Sequence, residues 1–354
     1  MSTKNKNKQG ISLCMIVRDE EWNIEKALSS ARPYVDQVVV VDTGSKDNTI
    51  QIAKNYADTL EHFKWVDDFS AARNYSLQFA TQPWILVLDA DEVIESDGFL
   101  RLRELSQQTD FDGFYLIERM YCDNTESDDA SWKPTDRANP YSRVYGGYRD
   151  NNKILRFFRN SADIRFSGRI HEIVTFSIQS DRICESGIVI HHYHDNPENP
   201  TERHVQRNLK IQEALISERI ASGRDYLSAG TAHLYFTGNL DKATEYLFKA
   251  LQLGEDTTVI LEGLAEVHYR SARFDIARDM YQRLYDAGQG SSAVLNNLSN
   301  LKLKIGDLQG SARLLEELLE RGVDVPERKQ RIEKNLAVLR LGIEQSRSDE
   351  KQMR

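Results

Sequence analysis

The sequence predicts two architectures in one chain: an α/β domain built on a mostly parallel sheet, then an all-α domain of helical repeats. Three observations carry this. Apolar, β-favouring runs at Ile11 to Val17, Gln37 to Val41 and Trp84 to Leu88 alternate with helical patterns. A breaker, Asp195-Asn196-Pro197-Glu198-Asn199-Pro200, is followed by helical periodicity to the end. A small-x-large-x-x-small pattern recurs from positions 238, 272 and 306, each 34 residues after the last.

Ile11 to Val17 ends in Arg18-Asp19-Glu20, and Trp22, Ile24, Ala27 and Leu28 then fall on related helical turns until Pro33. The second strand ends at Asp42, and Thr43 to Thr49 supplies a turn and a helix start before Ile50 to Tyr56. Phe69 to Ala80 is a further helix. Trp84 to Leu88 runs into Asp89-Ala90-Asp91-Glu92. Strands that are apolar throughout belong to a parallel sheet covered on both faces. Right-handed crossovers then bring Glu20, Asp42, Asp89 and Asp91 to one edge, where such sheets bind ligands.

Tyr121 to Lys153 is polar and reads as a long functional loop, with the Tyr-rich stretch Tyr141 to Tyr148 as a lid or sugar-stacking surface. Ile154 to Phe158, Ile173 to Ile178 and Ile188 to Ile190 return to strand character. The boundaries expected are a disordered tail over 1–10, the α/β domain over 11–200, a connecting helix over 201–223, repeats over 224–345 and a tail over 346–354.

In the repeats, Gly238-Asn239-Leu240-Asp241-Lys242-Ala243 matches Ala272 to Ala277 and Gly306 to Ser311. Small residues on the first helix of each unit fall at Thr231, Ala265 and Ser299, and large partners at Leu247, Tyr281 and Leu315. Period and pattern resemble the tetratricopeptide repeat.

The 354 residues suit two domains, and 40% hydrophobic with 29% charged is the composition of a globular chain. A net charge of -9 argues against a nucleic-acid binder. Cys14, Cys122 and Cys184 are too few and too far apart for a disulfide framework or a zinc pattern, which fits a cytoplasmic protein. No apolar stretch is long enough to span a bilayer.

Two carboxylates at a strand end can hold a divalent cation beside a diphosphate. The plain alternative is that Asp89 and Asp91 cap the next helix. Adjacent histidines on a strand face opposite ways, so His191-His192-Tyr193-His194 is a poor zinc site. Arg203 and Arg207 follow on a helix as phosphate contacts or as a solvated face.

Together, Ser12 to Glu21, Val40 to Thr49, Phe69-Ser70-Ala71-Ala72-Arg73-Asn74 and Leu88 to Glu92 resemble family 2 glycosyltransferases in order and spacing. Leu155 to Asn160 and Gly168-Arg169-Ile170-His171-Glu172 resemble the branch with lipopolysaccharide-core glucosyltransferases and peptide S-glycosyltransferases. The resemblance covers roughly residues 11 to 210. It implies a GT-A, Rossmann-like fold and an inverting, metal-dependent transferase that uses a nucleotide-diphosphate sugar, usually a UDP-sugar. By that resemblance Asp91 is the ligand of Mn²⁺ or Mg²⁺, with Asp89 and His192 beside it. Glu20, Asp42, Arg73 and Asp89 hold the donor nucleotide. Glu172, with His171 as its rival, is the general base.

Repeat stacks form concave peptide-binding surfaces, which favours a peptide or protein acceptor. A saccharide or lipid-linked acceptor is the rival, and a non-catalytic scaffold is the reading of another class. A nucleotidyltransferase lacks support, because Arg18-Asp19-Glu20-Glu21 stands where a Gly-rich phosphate loop is needed. A protein partner through the repeats and a homo-oligomer remain open.

Overall fold

The first four strands, which form one end of the sheet, take their faces from the alternation of their side chains. They are β1 (Ile11–Val17), β2 (Gln37–Asp42), β3 (Thr59–His62) and β4 (Trp84–Val87). Leu13, Met15, Val38 and Val40 enter one buried cluster, whereas Cys14, Val39, Val41, Ile85 and Val87 enter another on the opposite face. The computed structural model describes residues 9–122, 133–193, 201–322 and 326–352. The expected tail up to Lys8, the breaker Asp195 to Pro200, residues 123–132 of the expected loop, His194 and the side chain of Arg203 lie outside the described residues.

β1 pairs in parallel with β2 and β4, and β2 with β3, so Val17 lies opposite Asp42 and Asp42 opposite His62. The helices α1 (Ile24–Ala31) and α2 (Thr49–Ala53) cover the first cluster, which takes Ile24, Ala27, Leu28, Ala31 and Ala53. α1 ends two residues before Pro33, whose ring disfavours helix in the residue ahead of it. α3 (Phe69–Leu77) adds Leu77 to the second cluster.

Beyond β4 come β5 (Glu92–Ile94), α4 (Ser96–Leu105), β6 (Gly113–Cys122), the two-residue β7 (Lys133–Pro134), β8 (Gly147–Arg159) and β9 (Ile183–His192). The order across the sheet is β3-β2-β1-β4-β8-β6-β9-β5. β8 is antiparallel to β4, β9 is parallel to β6, and β5 is antiparallel to β9. The sheet is therefore mixed, with its parallel block at the N-terminal strands.

Two sequence expectations are corrected. The loop expected over Tyr121 to Lys153 ends early, because Gly147 to Lys153 is already strand. Its polar side chains pair across the sheet: Arg119 donates to Asp150 and Asn151 donates to Glu118. The strand expected at Ile173 to Ile178 is a bridge and a short 3₁₀ turn instead. Ser167 and Ile173 exchange both backbone hydrogen bonds, which closes a small loop, and Thr175–Ser177 is 3₁₀. Val174 is buried there while Phe176 faces solvent, so the run has no continuous buried face to form a ladder.

The chain divides into two compact units, and the second holds Val205 onward. It contains α5 (Thr201–Ser217) from Val205, α6 (Gly223–Ala232), α7 (Leu240–Gln252), α8 (Thr257–Arg270), α9 (Phe274–Asp286), α10 (Ser292–Lys304), α11 (Leu308–Glu320) and α12 (Pro326–Gln352). α7, α9 and α11 each have 13 residues and start 34 positions apart. Ala243, Ala277, Ser311, Ala265 and Ser299 are buried where the pattern asks for small residues, and Leu247, Tyr281 and Leu315 fill the space between helices. α12 continues through residues 346–352, where the sequence predicts a tail. Its Ile332, Leu336 and Leu339 are buried in the repeat core, and that anchors the helix.

Candidate active site

The loops after β1 and β2 are tied together by side chains that satisfy each other's backbone. Asp19 and Glu20 donate their amides to Ser45 and Thr49, while Lys46 donates its amide to Asp19. Asp42, 3% exposed at the end of β2, accepts from the amides of Gly44 and Ser45 and faces His62 Nδ1 at 3.2 Å. Its carboxylate therefore shapes the turn, a version of the capping role that competes with ligand binding for such a residue.

The second part of the site joins two motifs distant in sequence. Asp68 caps α3 by accepting from Ala71 N–H. The helix then grips residues 166–169: Phe69 N–H donates to Arg169 O, Ser70 Oγ to Gly168 O, and Asn74 exchanges two hydrogen bonds with the Phe166 backbone. This delivers Glu172 to Arg73. Arg73 Nε donates to Glu172 Oε1 at 2.6 Å, and Nη2 donates to Asp89 at 2.8 and 3.2 Å. His171, next to Glu172, has a left-handed backbone with φ 55°.

Asp89 also accepts from Arg156 Nη2 of β8 at 3.0 Å. Burial alone would raise its pKa, but the two guanidinium groups outweigh it and hold Asp89 well below the usual carboxylate range. Glu92, fully buried, accepts the Asp89 amide and fixes the turn that carries Asp89 and Asp91. Burial raises its pKa to about 7, with Arg156 opposing the shift. Glu20 is also raised to about 7, by burial first and then by the Asp91 charge.

The third part is centred on His192, at the end of β9. Its Nε2 faces Asp91 Oδ2 at 3.2 Å and its Nδ1 faces Glu118 Oε1 at 3.2 Å. Burial lowers the imidazole pKa, but the hydrogen bonds to Asp91 and Glu118 prevail and raise it to about 11. Ligand atoms of Glu92, Glu118 and His192 lie within 4.8 Å of one another. Carboxylate oxygens with one imidazole suit Mn²⁺ or Mg²⁺. Glu92 Oε1 is buried without a hydrogen bond, with Arg156 Nη2 3.7 Å away as its one ion-pair neighbour, so the chemistry of the donor set fits a cation although Arg156 competes for this oxygen. Asp89 fits it less well, since both its oxygens are engaged by arginines.

His191 turns to the other face, as strand geometry requires. It contacts the Tyr121 hydroxyl and Glu95 and stacks on Tyr121 and Tyr141. Tyr145 and Tyr193 join this stack, so these rings of the Tyr-rich stretch pack inward rather than offering a surface for sugars. Burial lowers the His191 pKa to about 4. Arg207 belongs to the second unit.

Thus Asp91 meets His192, and Arg73 joins Asp89 to Glu172. Sequence reasoning passed over Arg156, Glu92 and Glu118. Arg156 had a signal: an arginine between Leu155 and Phe157 in an apolar strand must meet a carboxylate.

A mixed α/β sheet with an acidic edge, followed by helical repeats, defines the class, and comparison with known proteins shows what the chain is similar to. Residues 12–167 match the model of glycosyl transferase family 2. A TPR repeat-containing protein of Synechococcus elongatus is 32% identical over 77% of this chain and 65% of its own length. The SPbeta prophage-derived glycosyltransferase SunS of Bacillus subtilis is 24% identical over 68% of this chain and 53% of its own. The chain thus spans less than two thirds of either relative. The crystal structure of S. aureus TarS 1-349 covers 79% of this chain and 92% of that one at 14% identity, with a TM-score of 0.35, a likeness too low to carry an argument. Among the described residues, no helix is long and apolar enough to cross a membrane.

Proposed function

We propose that this chain is an inverting, cation-dependent glycosyltransferase that moves a sugar from a nucleotide-diphosphate sugar, a UDP-sugar by preference, to a peptide or protein side chain. The observation that carries this is the meeting of Arg73, Asp89 and Glu172 beside Asp91 and His192, within a domain that matches family 2. Asp91 and His192 would hold the cation, Mn²⁺ or Mg²⁺, and its charge would supply neutralisation for the leaving diphosphate. Asp89 belongs with the arginines rather than with the cation. Glu20 and the loop shaped by Asp42 flank the nucleoside.

Glu172 takes the proton of the acceptor hydroxyl or thiol as that atom bonds to the anomeric carbon, and the diphosphate leaves with the bonding pair. Arg73 orients Glu172 and couples it to the donor side through Asp89. His171 is the rival base. The repeats support a peptide acceptor, since stacks of this kind form extended surfaces that take peptides.

The test is a donor screen by thermal shift with Mn²⁺ or Mg²⁺. One nucleotide sugar should raise the melting temperature of the full chain in a concentration-dependent way, and only with the cation present. No shift with any nucleotide sugar would overturn the reading.

A further inference from the structure

The cation site has a feature beyond its proposed ligands: the His192 ring lies between two carboxylates, one in a turn and one on a strand. Asp91, just ahead of β5, faces Nε2, and Glu118, on β6, faces Nδ1. The second oxygen of Glu118 accepts from Asn151 Nδ2 at 3.2 Å, so the carboxylate is itself oriented. An imidazole ligates through the nitrogen that carries no proton, and the partner of the other nitrogen decides which one that is.

We propose that Glu118 is a positioning residue for the cation site: it takes the Nδ1–H of His192 and so keeps the Nε2 lone pair turned toward Asp91 and the cation. This rests on the cation reading above. Direct ligation by Glu118 is the rival, since its oxygen lies near those of Glu92 and His192. The geometry favours positioning. The two ring nitrogens point apart, so a cation shared by Asp91 and Nε2 lies on the side of the ring away from Glu118.

The experiment titrates the purified full chain with MnCl₂ alone and follows free Mn²⁺ by electron paramagnetic resonance, with no donor, acceptor or turnover. Glu118→Ala should weaken Mn²⁺ binding about tenfold to a hundredfold, the usual cost of losing a partner of a ligating histidine. Glu118→Gln, whose amide oxygen still accepts from Nδ1–H, should recover most of that loss. Glu118→Asp keeps the charge but shortens the reach, and should behave like Glu118→Ala. The melting temperature of each variant in EDTA checks the fold, and Glu118→Asp serves if Glu118→Ala does not fold.

Unchanged affinity in Glu118→Ala or Glu118→Asp would overturn the positioning role. Binding by Glu118→Gln as weak as by Glu118→Ala would also overturn it, in favour of direct ligation. Absence of Mn²⁺ binding by the unsubstituted chain would be a separate result and would overturn the cation reading itself.

Discussion

The two units handle ionisable groups in opposite ways. In the first, Arg73, Asp42, Glu92 and His191 are buried, and a network joins Arg73, Asp89, Arg156 and Glu172. Among the described residues of the repeats, the buried acidic or basic side chains are Asp225 and His233. Asp225 completes a capping box with Ser222, and His233 faces Glu213 and Thr237. Burying charges costs several kcal/mol per ion before pairing recovers it. A chain that accepts this cost in one unit and avoids it in the other has put chemistry in the first and stacking in the second.

The largest expected effect tests the chemistry. Glu172→Gln should lower transfer about a hundredfold to ten-thousandfold, the range a general base contributes, while the cation-dependent thermal shift by donor is kept. If the donor shift disappears as well, Glu172 serves the donor side and His171 becomes the stronger base. Transfer assays beside thermal shift on the same preparations separate the two outcomes.

Arg73→Ala comes next and addresses the network as structure. It leaves Glu172 without its 2.6 Å partner and Asp89 with Arg156 alone, and should destabilise the first unit by about 3–5 kcal/mol. Denaturant unfolding checks this. Adding Asp89→Asn should recover part of the loss, because the two residues are coupled. Full additivity would mean the ion pair matters less than its burial suggests.

Leu247→Ala is the matching experiment in the repeats. Leu247 is buried against Leu234, Leu264 and the α6–α7 contact at Gly230. The loss should be about 2–5 kcal/mol, from lost transfer energy plus a cavity. Mn²⁺ binding by the first unit should not change. A change in Mn²⁺ binding would break the division of labour drawn above.

The sequence was most readable where a pattern repeats and least readable where a residue breaks it. β1, β2 and β4 declared themselves by unbroken apolar runs, and the helices of the repeats by their 34-residue register. β3 and the first half of β8 did not, because their side chains are polar. β8 is held by Arg119–Asp150 and Asn151–Glu118 pairs that only the folded sheet brings together. The same holds for the site. Asp89, Asp91, Arg73 and Glu172 stood in short motifs, but a motif does not state that Arg73 joins Asp89 to Glu172, which is 99 positions beyond the arginine. Glu118 carried no local signal, since its meaning lies in His192, which is 74 positions away.

The smallest expected effect lies in the repeat register. Gly238, Ala272 and Gly306 precede the second helix of successive units, and all three have left-handed backbones, with φ of 70°, 57° and 80°. An L-residue with a side chain pays about 1–2 kcal/mol there, whereas glycine does not. At Gly238 and Gly306 an added Cβ meets nothing within 4 Å, so the whole penalty is torsional. Ala272→Gly relieves that strain but frees the unfolded chain, which takes back about 0.4–1 kcal/mol. The net gain should be about half a kcal/mol, with Gly306→Ala opposite in sign and similar in size. Urea unfolding of both variants measures the pair. Equal signs would mean that the middle unit uses Ala272 for a contact its backbone does not reveal. Opposite signs would mean that the three turns are interchangeable, as a repeat requires.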